Sequence, residues 1–202
     1  MKSNRKKVLF ISIPVVVILV VFWLTGLISL WTEGMASIAN NTNEFSDKDG
    51  HIVKEGYSIS IDLLNLESNV GKELYNDGTH KIQVSWIDNT GSVNTGGYRI
   101  GFRSSGHYSL TGASLISGVH HATVNGNSFT SDMSAKMSAD YNGKNYDSSV
   151  LGTSGLNYKD GDEFSFYIFP TSSYETNEIS LDEKGMVDLT VTNLYKNSWS
   201  KK

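Results

Sequence analysis

Residues 57–66 read YSISIDLLNL, and this stretch decides the fold class because its apolar and polar side chains alternate. One parity carries the apolar side chains Tyr57, Ile59, Ile61 and Leu63. Successive side chains of a β-strand point to opposite faces of a sheet, so a period of two is typical of a strand with one buried face. The stretch therefore predicts a half-buried β-strand.

The same alternation returns in residues 80–88 (HKIQVSWID), 98–104 (YRIGFRS) and 186–195 (MVDLTVTNLY). In the first of these, Trp86 shares its parity with the apolar residues, so we expect its indole in the core. Residues 163–169 (EFSFYIF) become apolar on both faces, which favours a central strand.

Turn residues separate these runs. Asn125-Gly126 and Asn142-Gly143 supply the positive φ that tight hairpin turns require, which predicts hairpins at 120–131 and 136–148. Seven to nine short strands with a turn about every 8–15 residues indicate an all-β fold, an antiparallel β-sandwich of Ig-like or jelly-roll-like type.

The N-terminus predicts a membrane anchor. Residues 1–7 are basic, and residues 8–30 contain 23 residues without a charge. A helix of that length spans roughly 34 Å, enough for a bilayer core. We expect one transmembrane helix at 8–31 with its N-terminus in the cytoplasm, because basic residues precede it. A polar tether at 32–55 would lead to an extracellular domain at 56–202.

A cleaved signal peptide is the alternative to this anchor. The small residues of Ser37-Ile38-Ala39 would suit cleavage after Ala39, which would release a secreted domain. The apolar run is longer than the 7–15 residues usual in a signal peptide, so the retained anchor is favoured.

The charge differs between the two parts of the chain. The first 31 residues carry +4, whereas the remaining 171 hold 13 basic and 21 acidic side chains and carry -8. An acidic domain lacks the basic face that nucleic acid requires. The chain has no cysteine, which excludes disulfides, cysteine-ligated zinc and a thiol nucleophile.

Metal-binding and catalytic patterns are weak. His120 and His121 are adjacent, so in a strand they would face opposite ways and could not share one ion. The acidic segments 47–50 and 160–163 lack the spacing of an EF-hand loop and are interpreted as plain turns. We predict no catalytic residue, metal or cofactor, and the chain is expected not to be an enzyme; a hydrolase that uses carboxylates is the minority hypothesis.

Two tyrosines are candidate ligand contacts. Tyr141 and Tyr146 flank the Asn142-Gly143 turn and would lie near one hairpin tip. Exposed there, they could stack on a sugar, which makes a carbohydrate-binding module an alternative function. Arg99 and Arg103 share a strand face, where pairing with acids across the sheet is expected.

The sequence as a whole predicts a membrane-anchored, single-pass surface protein. Its partners would be membrane lipid through the N-terminal helix, and a protein or polysaccharide through a non-catalytic ectodomain.

Overall fold

The computed structural model describes residues 15–125 and 128–202 of the chain. Its helices are α1 Val15–Leu24, α2 Leu27–Glu33, α3 Met35–Asn40 and α4 Thr171–Glu175. The strands are β1 Phe45–Asp47, β2 His51–Ile52, β3 Tyr57–Asp62, β4 Glu73–Asn76, β5 Lys81–Asn89, β6 Tyr98–Ser105, β7 His107–Ser109, β8 Gly112–Ser117, β9 Val119–Asn125, β10 Ser128–Met133, β11 Lys136–Tyr141, β12 Lys144–Asp147, β13 Ser149–Thr153, β14 Gly161–Tyr167, β15 Met186–Thr192 and β16 Tyr195–Lys201.

These strands form three antiparallel sheets and a separate hairpin. Sheet 1 has the order β12–β11–β15–β3, and sheet 2 has the order β13–β14–β6–β5–β4. Sheet 3 has the order β1–β16–β8–β7, with β2 also paired to β16, and β9 pairs with β10. The predicted all-β, antiparallel character is confirmed.

The main core is built from apolar side chains of sheets 1 and 2. Ile61 of β3 and Leu189 of β15 lie in one buried cluster with Val84 of β5, Phe102 of β6 and Phe164 of β14. Each comes from the apolar parity of its strand, because burying that face removes it from water. Two sheets that share one core are compatible with a β-sandwich.

Both predicted hairpins are present. β11 pairs with β12 around Asn142 and Gly143, whose φ values are 52° and 75°. β9 pairs with β10, and the glycine of its predicted Asn125-Gly126 turn lies outside the described residues. The stretch at 163–169 supplies β14, which is a central strand between β13 and β6, as expected.

The predicted place of Trp86 is wrong. The register between β5 and β6 shifts between Val84 and Trp86, so that Val84 faces Phe102 and Trp86 faces Gly101. A bulge inserts one extra residue and reverses the parity after it. Ile87 therefore takes the core position, and the Trp86 side chain lies on the outer face of sheet 2.

The segment expected as a tether contains folded structure. Met35, Ile38 and Ala39 of α3 are buried against Leu115 and Trp199 of sheet 3, in a second apolar cluster. The spacing i, i+3, i+4 places the three on one face of a helix. The segment that leads from the N-terminal helices is therefore packed against the domain rather than extended.

The start of α3 is held by backbone contacts. Gly34 adopts a φ of 61°, and the N–H of Met35 donates to the carbonyl oxygen of Lys159 at 2.7 Å. A Cβ on Gly34 would lie 2.1 Å from that same oxygen, so only glycine fits this approach.

The N-terminal helices do not form one continuous span. Among the described residues, no single helix is long and apolar enough to cross a bilayer, although α1 and α2 together have the length and composition with a bend of 72° between them. Gly26 lies at the bend with a φ of 75°. Residues 8–14 of the predicted span lie outside the described residues.

Candidate functional site

The outer face of sheet 2 carries a partly exposed tryptophan. Trp86 of β5 lies over Gly101 of β6, and a Cβ on Gly101 would come within 2.2 Å of the indole nitrogen. Because Gly101 has no side chain, the indole ring occupies the space that a Cβ would fill. Glycine inside a strand commonly marks such a close approach.

Glu163 of β14 fixes the ring from the other side. The Trp86 indole N–H donates to Glu163 Oε1 at 2.9 Å. The second carboxylate oxygen accepts a hydrogen bond from the Tyr158 hydroxyl at 3.3 Å. One carboxylate thus orients two aromatic side chains on the same face.

Two arginines complete this surface. The Arg103 guanidinium carbon lies 3.7 Å from the centroid of the Tyr158 ring, within the range of a cation–π contact. Arg99 lies 5.9 Å from the centroid of the Trp86 ring. We call the surface formed by Trp86, Arg99, Arg103, Tyr158 and Glu163 the Trp86 face.

Both guanidinium groups are neutralised, as the sequence predicts. Arg99 Nε donates to Asp88 Oδ1 at 2.8 Å, and Arg103 pairs with Asp160. The hydrogen bond to Asp88 raises the pKa of Arg99 above its usual value. Counted together with Asp88 and Asp160, the Trp86 face has three carboxylates against two guanidinium groups, a net charge of about -1 that does not favour a polyanion.

The outer face of sheet 1 is chemically different. Ser58 of β3 and Thr190 of β15 are joined by a hydrogen bond of 2.9 Å between their hydroxyl oxygens. Ser60 donates to Asp188 on the same pair of strands. These short polar side chains are typical of a solvated sheet face, and they contrast with the aromatic composition of the Trp86 face.

Tyr141 and Tyr146, expected as exposed ligand contacts, are core residues. They are 4% and 7% exposed, and their rings pack edge-on against Phe169. The Tyr141 hydroxyl lies 2.7 Å from the carbonyl oxygen of Lys184, and burial raises its pKa. The strand parity that brings them near one turn also points both rings inward, so neither offers a face to a sugar.

Among the described residues, no cluster of three histidine or acidic side chains could hold a metal ion. His120 stacks on Tyr195 with ring centroids 4.0 Å apart, whereas His121 points inward to Asp162. The adjacent histidines thus face opposite ways, as predicted.

The acidic segment at 160–163 does not form a calcium loop. Its three carboxylates have separate partners, since Asp160 binds Arg103, Asp162 binds His121 and Glu163 binds Trp86. Because the three carboxylates bind different partners, they do not converge on one cation.

Two chains of hydrogen bonds have the residue types of a Ser–His–Asp triad, and the sequence pattern did not reveal them. In the first, His80 Nδ1 lies 2.8 Å from Asp77 Oδ2 and His80 Nε2 lies 2.8 Å from Ser114 Oγ. Asp77 and His80 lie in one turn, whereas Ser114 is distant in sequence. Only the fold therefore brings Ser114 to the imidazole.

The second chain is buried. His121 Nε2 lies 2.6 Å from Asp162 Oδ2, and His121 Nδ1 lies 3.0 Å from Ser131 Oγ. The side chains of His121 and Asp162 are 0% exposed. Ser117 also donates to Asp162, which leaves this carboxylate fully engaged.

The positions of the two serines favour a structural role for both hydrogen-bond chains. Ser114 lies within β8, which is paired on both sides, by β7 and by β16. Neither Ser114 nor Ser131 lines the groove beside α2 and α3 or the groove beside β12 and α4. A nucleophile needs access to substrate, so we interpret both chains as polar links that join sheet 3 and the hairpin to sheet 2.

Asp77 shows how such a link is stabilised. Burial raises the pKa of its carboxyl, but hydrogen bonds from the backbone N–H groups of His80 and Thr79, and from the His80 ring and Tyr75, outweigh it. The pKa therefore lies well below its usual value. The carboxylate caps the β4–β5 turn while it positions the imidazole.

Comparison with known proteins identifies no relative: no protein-family model, no curated protein and no solved structure matches this chain.

Proposed function

We propose that this chain is a single-pass membrane protein that displays a non-catalytic β-sandwich domain outside the cell, where the Trp86 face binds a protein partner or a wall polymer. The N-terminus would lie in the cytoplasm, because the basic residues precede the apolar segment.

The surface of α1 supports the membrane anchor. All ten of its residues are apolar, and the domain leaves their side chains exposed. A folded soluble domain rarely leaves such a continuous apolar surface in water. Residues 8–24 would supply 17 residues before the bend at Gly26, which is the lower end of the length that spans a bilayer.

The position of α3 favours retention of this anchor over cleavage near Ala39. Ile38 and Ala39 are buried in the second apolar cluster. Cleavage after Ala39 would remove α3 and leave an uncovered apolar patch on Leu115 and Trp199. Because α3 covers these apolar side chains, we expect the chain to stay intact.

The single observation that carries the binding function is the outward position of Trp86. The bulge, the open space at Gly101 and the bond to Glu163 all hold a large aromatic ring on the outside of sheet 2. The core does not need this ring, because Ile87 fills the inward position. Rigid, partly exposed tryptophan next to arginine is the composition typical of binding hot spots.

Topology is tested by cysteine labelling in intact cells, since the chain has no native cysteine. A membrane-impermeant maleimide should label Thr176→Cys on the outside and should label Ser3→Cys only after permeabilisation. Label on Ser3→Cys in intact cells would contradict the proposed orientation.

Binding is tested by co-purification of the full chain from native membranes. We expect Trp86→Ala to lose the bound protein or polymer, whereas the matched control Thr190→Ala on the outer face of sheet 1 retains it. Equal recovery by both variants would contradict a binding role of the Trp86 face.

A further inference from the structure

The surface where the domain meets α2 has a distinctive composition. A groove beside Gly26 and Ser29 is also lined by Leu110, at the end of β7, and Lys201, at the end of β16. Lys159 lies with its Nζ 5.6 Å from the centroid of the Trp31 ring. We call the residues Trp31, Leu110, Lys159, Lys201 and Lys202 the base of the domain.

The base lies close to the end of α2. Only Gly34 separates α2 from α3, and α3 is anchored by its buried side chains and by the hydrogen bond from Met35 to Lys159. Residues Ser37, Asn40 and Asn41 of this segment line the same groove as Leu110. Gly26, where α1 and α2 meet, lines this groove too, so the end of α1 lies near the base.

The chemistry of the base suits a lipid headgroup layer. Trp31 is 76% exposed and Leu110 is 39% exposed, although both are apolar. Tryptophan is enriched at the membrane–water interface, and lysine extends its ammonium group toward the headgroups while its stem stays in apolar surroundings.

The charge of the base also differs from that of the domain. Lys159 lies beside Trp31, Lys201 lines the groove, and Lys202 is tied to the segment after α3, since its Nζ donates to the carbonyl oxygen of Thr42 at 2.7 Å. The nearby acids are Glu33 and Glu44, and Glu44 lies 3.5 Å from Lys201. Counted together with Glu33 and Glu44, the three lysine side chains of the base leave a net charge of about +1, whereas residues 32–202 as a whole carry -8, so this side of the domain is the more favourable one for an anionic surface.

We infer that the base rests directly on the phospholipid headgroups of the membrane that holds α1, so that the domain is seated on the bilayer rather than suspended from a tether. The anionic phosphate of the headgroup is the group that the lysines recognise. This inference rests on the proposed membrane anchor.

The test uses the full chain in nanodiscs of phosphatidylcholine with added phosphatidylglycerol. Because the chain has no cysteine, one fluorophore is placed at Leu110→Cys. In a matched control it is placed at Thr176→Cys, directly after α4. Lipids with a nitroxide at the headgroup should quench the label at 110 and leave the label at 176 bright. Lys159→Glu combined with Lys201→Glu should reduce the quenching at 110.

The outcomes separate this inference from the anchor. A chain that stays in the nanodisc but shows equal quenching at 110 and 176 would overturn the seated domain and leave the anchor intact. A chain that does not enter the nanodisc at all would overturn both.

Discussion

The indole of Trp86 on β5 is joined to Glu163 on β14 by a hydrogen bond of 2.9 Å that passes over the intervening strand β6. The bond is possible because β6 has glycine at position 101 beneath the ring. Three strands thus cooperate to hold one aromatic side chain outside the core, and none of the three residues is near another in sequence.

The space above Gly101 gives the first prediction. Gly101→Ala should force the indole off the sheet, because the new Cβ would overlap the ring, and should lower the free energy of unfolding by about 1–3 kcal/mol. Near-UV circular dichroism and denaturant unfolding measure the two effects. Gly152→Ala on β13 is the control, since no atom lies within 4 Å of its added Cβ. Equal changes in both variants would contradict the close approach.

The bulge gives a second prediction. Deletion of Ser85 should leave a regular strand with Trp86 still opposite Gly101 and Ile87 still in the core, because Ser85 is the unpaired residue. Its buried hydroxyl has no hydrogen-bond partner, so its loss removes an unsatisfied group. We expect a cooperative unfolding transition and unchanged tryptophan fluorescence.

A second deletion on the same strand serves as the comparison. Removal of Gln83, which is paired in regular register with Arg103, should destabilise the domain strongly, because Val84 would then lie opposite Arg103 on the outer face and Ser85 opposite Phe102 in the core. If both deletions behave alike, the bulge does not set the parity of β5.

The packing of α3 gives a third prediction. Ile38 is 2% exposed, so Ile38→Ala should destabilise the domain by about 2–5 kcal/mol through lost burial and the resulting cavity. Glu33→Ala on the exposed end of α2 should change the free energy of unfolding by less than about 0.5 kcal/mol. Denaturant unfolding of the full chain in detergent compares them. A flexible tether would make the two variants indistinguishable.

Asp77 gives a prediction on pH. Its pKa is lower in the folded chain than in the unfolded chain, so the ionised carboxylate contributes stability above its unfolded pKa of about 3.9. That stability is lost as the pH falls through the lower folded value. Asp77→Asn should therefore be less stable than the native chain at neutral pH and lose less stability in acid. The measurement is the melting temperature of both proteins from neutral to acidic pH. A constant difference between the two melting temperatures over that range would contradict the prediction.

Periodicity predicted most of the strands because burial of one face imposes a period of two on the sequence. The hairpin turn at Asn142-Gly143 was also predictable, since its positive φ values restrict the residue types. The bulge at Ser85 was not predictable, because an extra residue leaves no mark on composition. A glycine inside the alternating run at 98–104 was the available signal for the close approach of Trp86.

The α3 segment was not predicted because the residues that flank it in the sequence are polar and small. The spacing of Met35, Ile38 and Ala39 is helical, but three apolar residues over one turn give a weak pattern. The hydrogen-bond chains through His80 and His121 could not be predicted, since each depends on how separate sheets pack against one another.

Site-specific photo-crosslinking in native membranes tests the role of the Trp86 face most directly. A photoreactive residue at Gln83, on the outer side of β5, should capture the partner, and the same residue at Thr190, on the outer face of sheet 1, should not. Trp86→Ala should abolish the crosslink from position 83. Equal crosslinking from both positions, or a crosslink from 83 that survives Trp86→Ala, would contradict a binding site on this face.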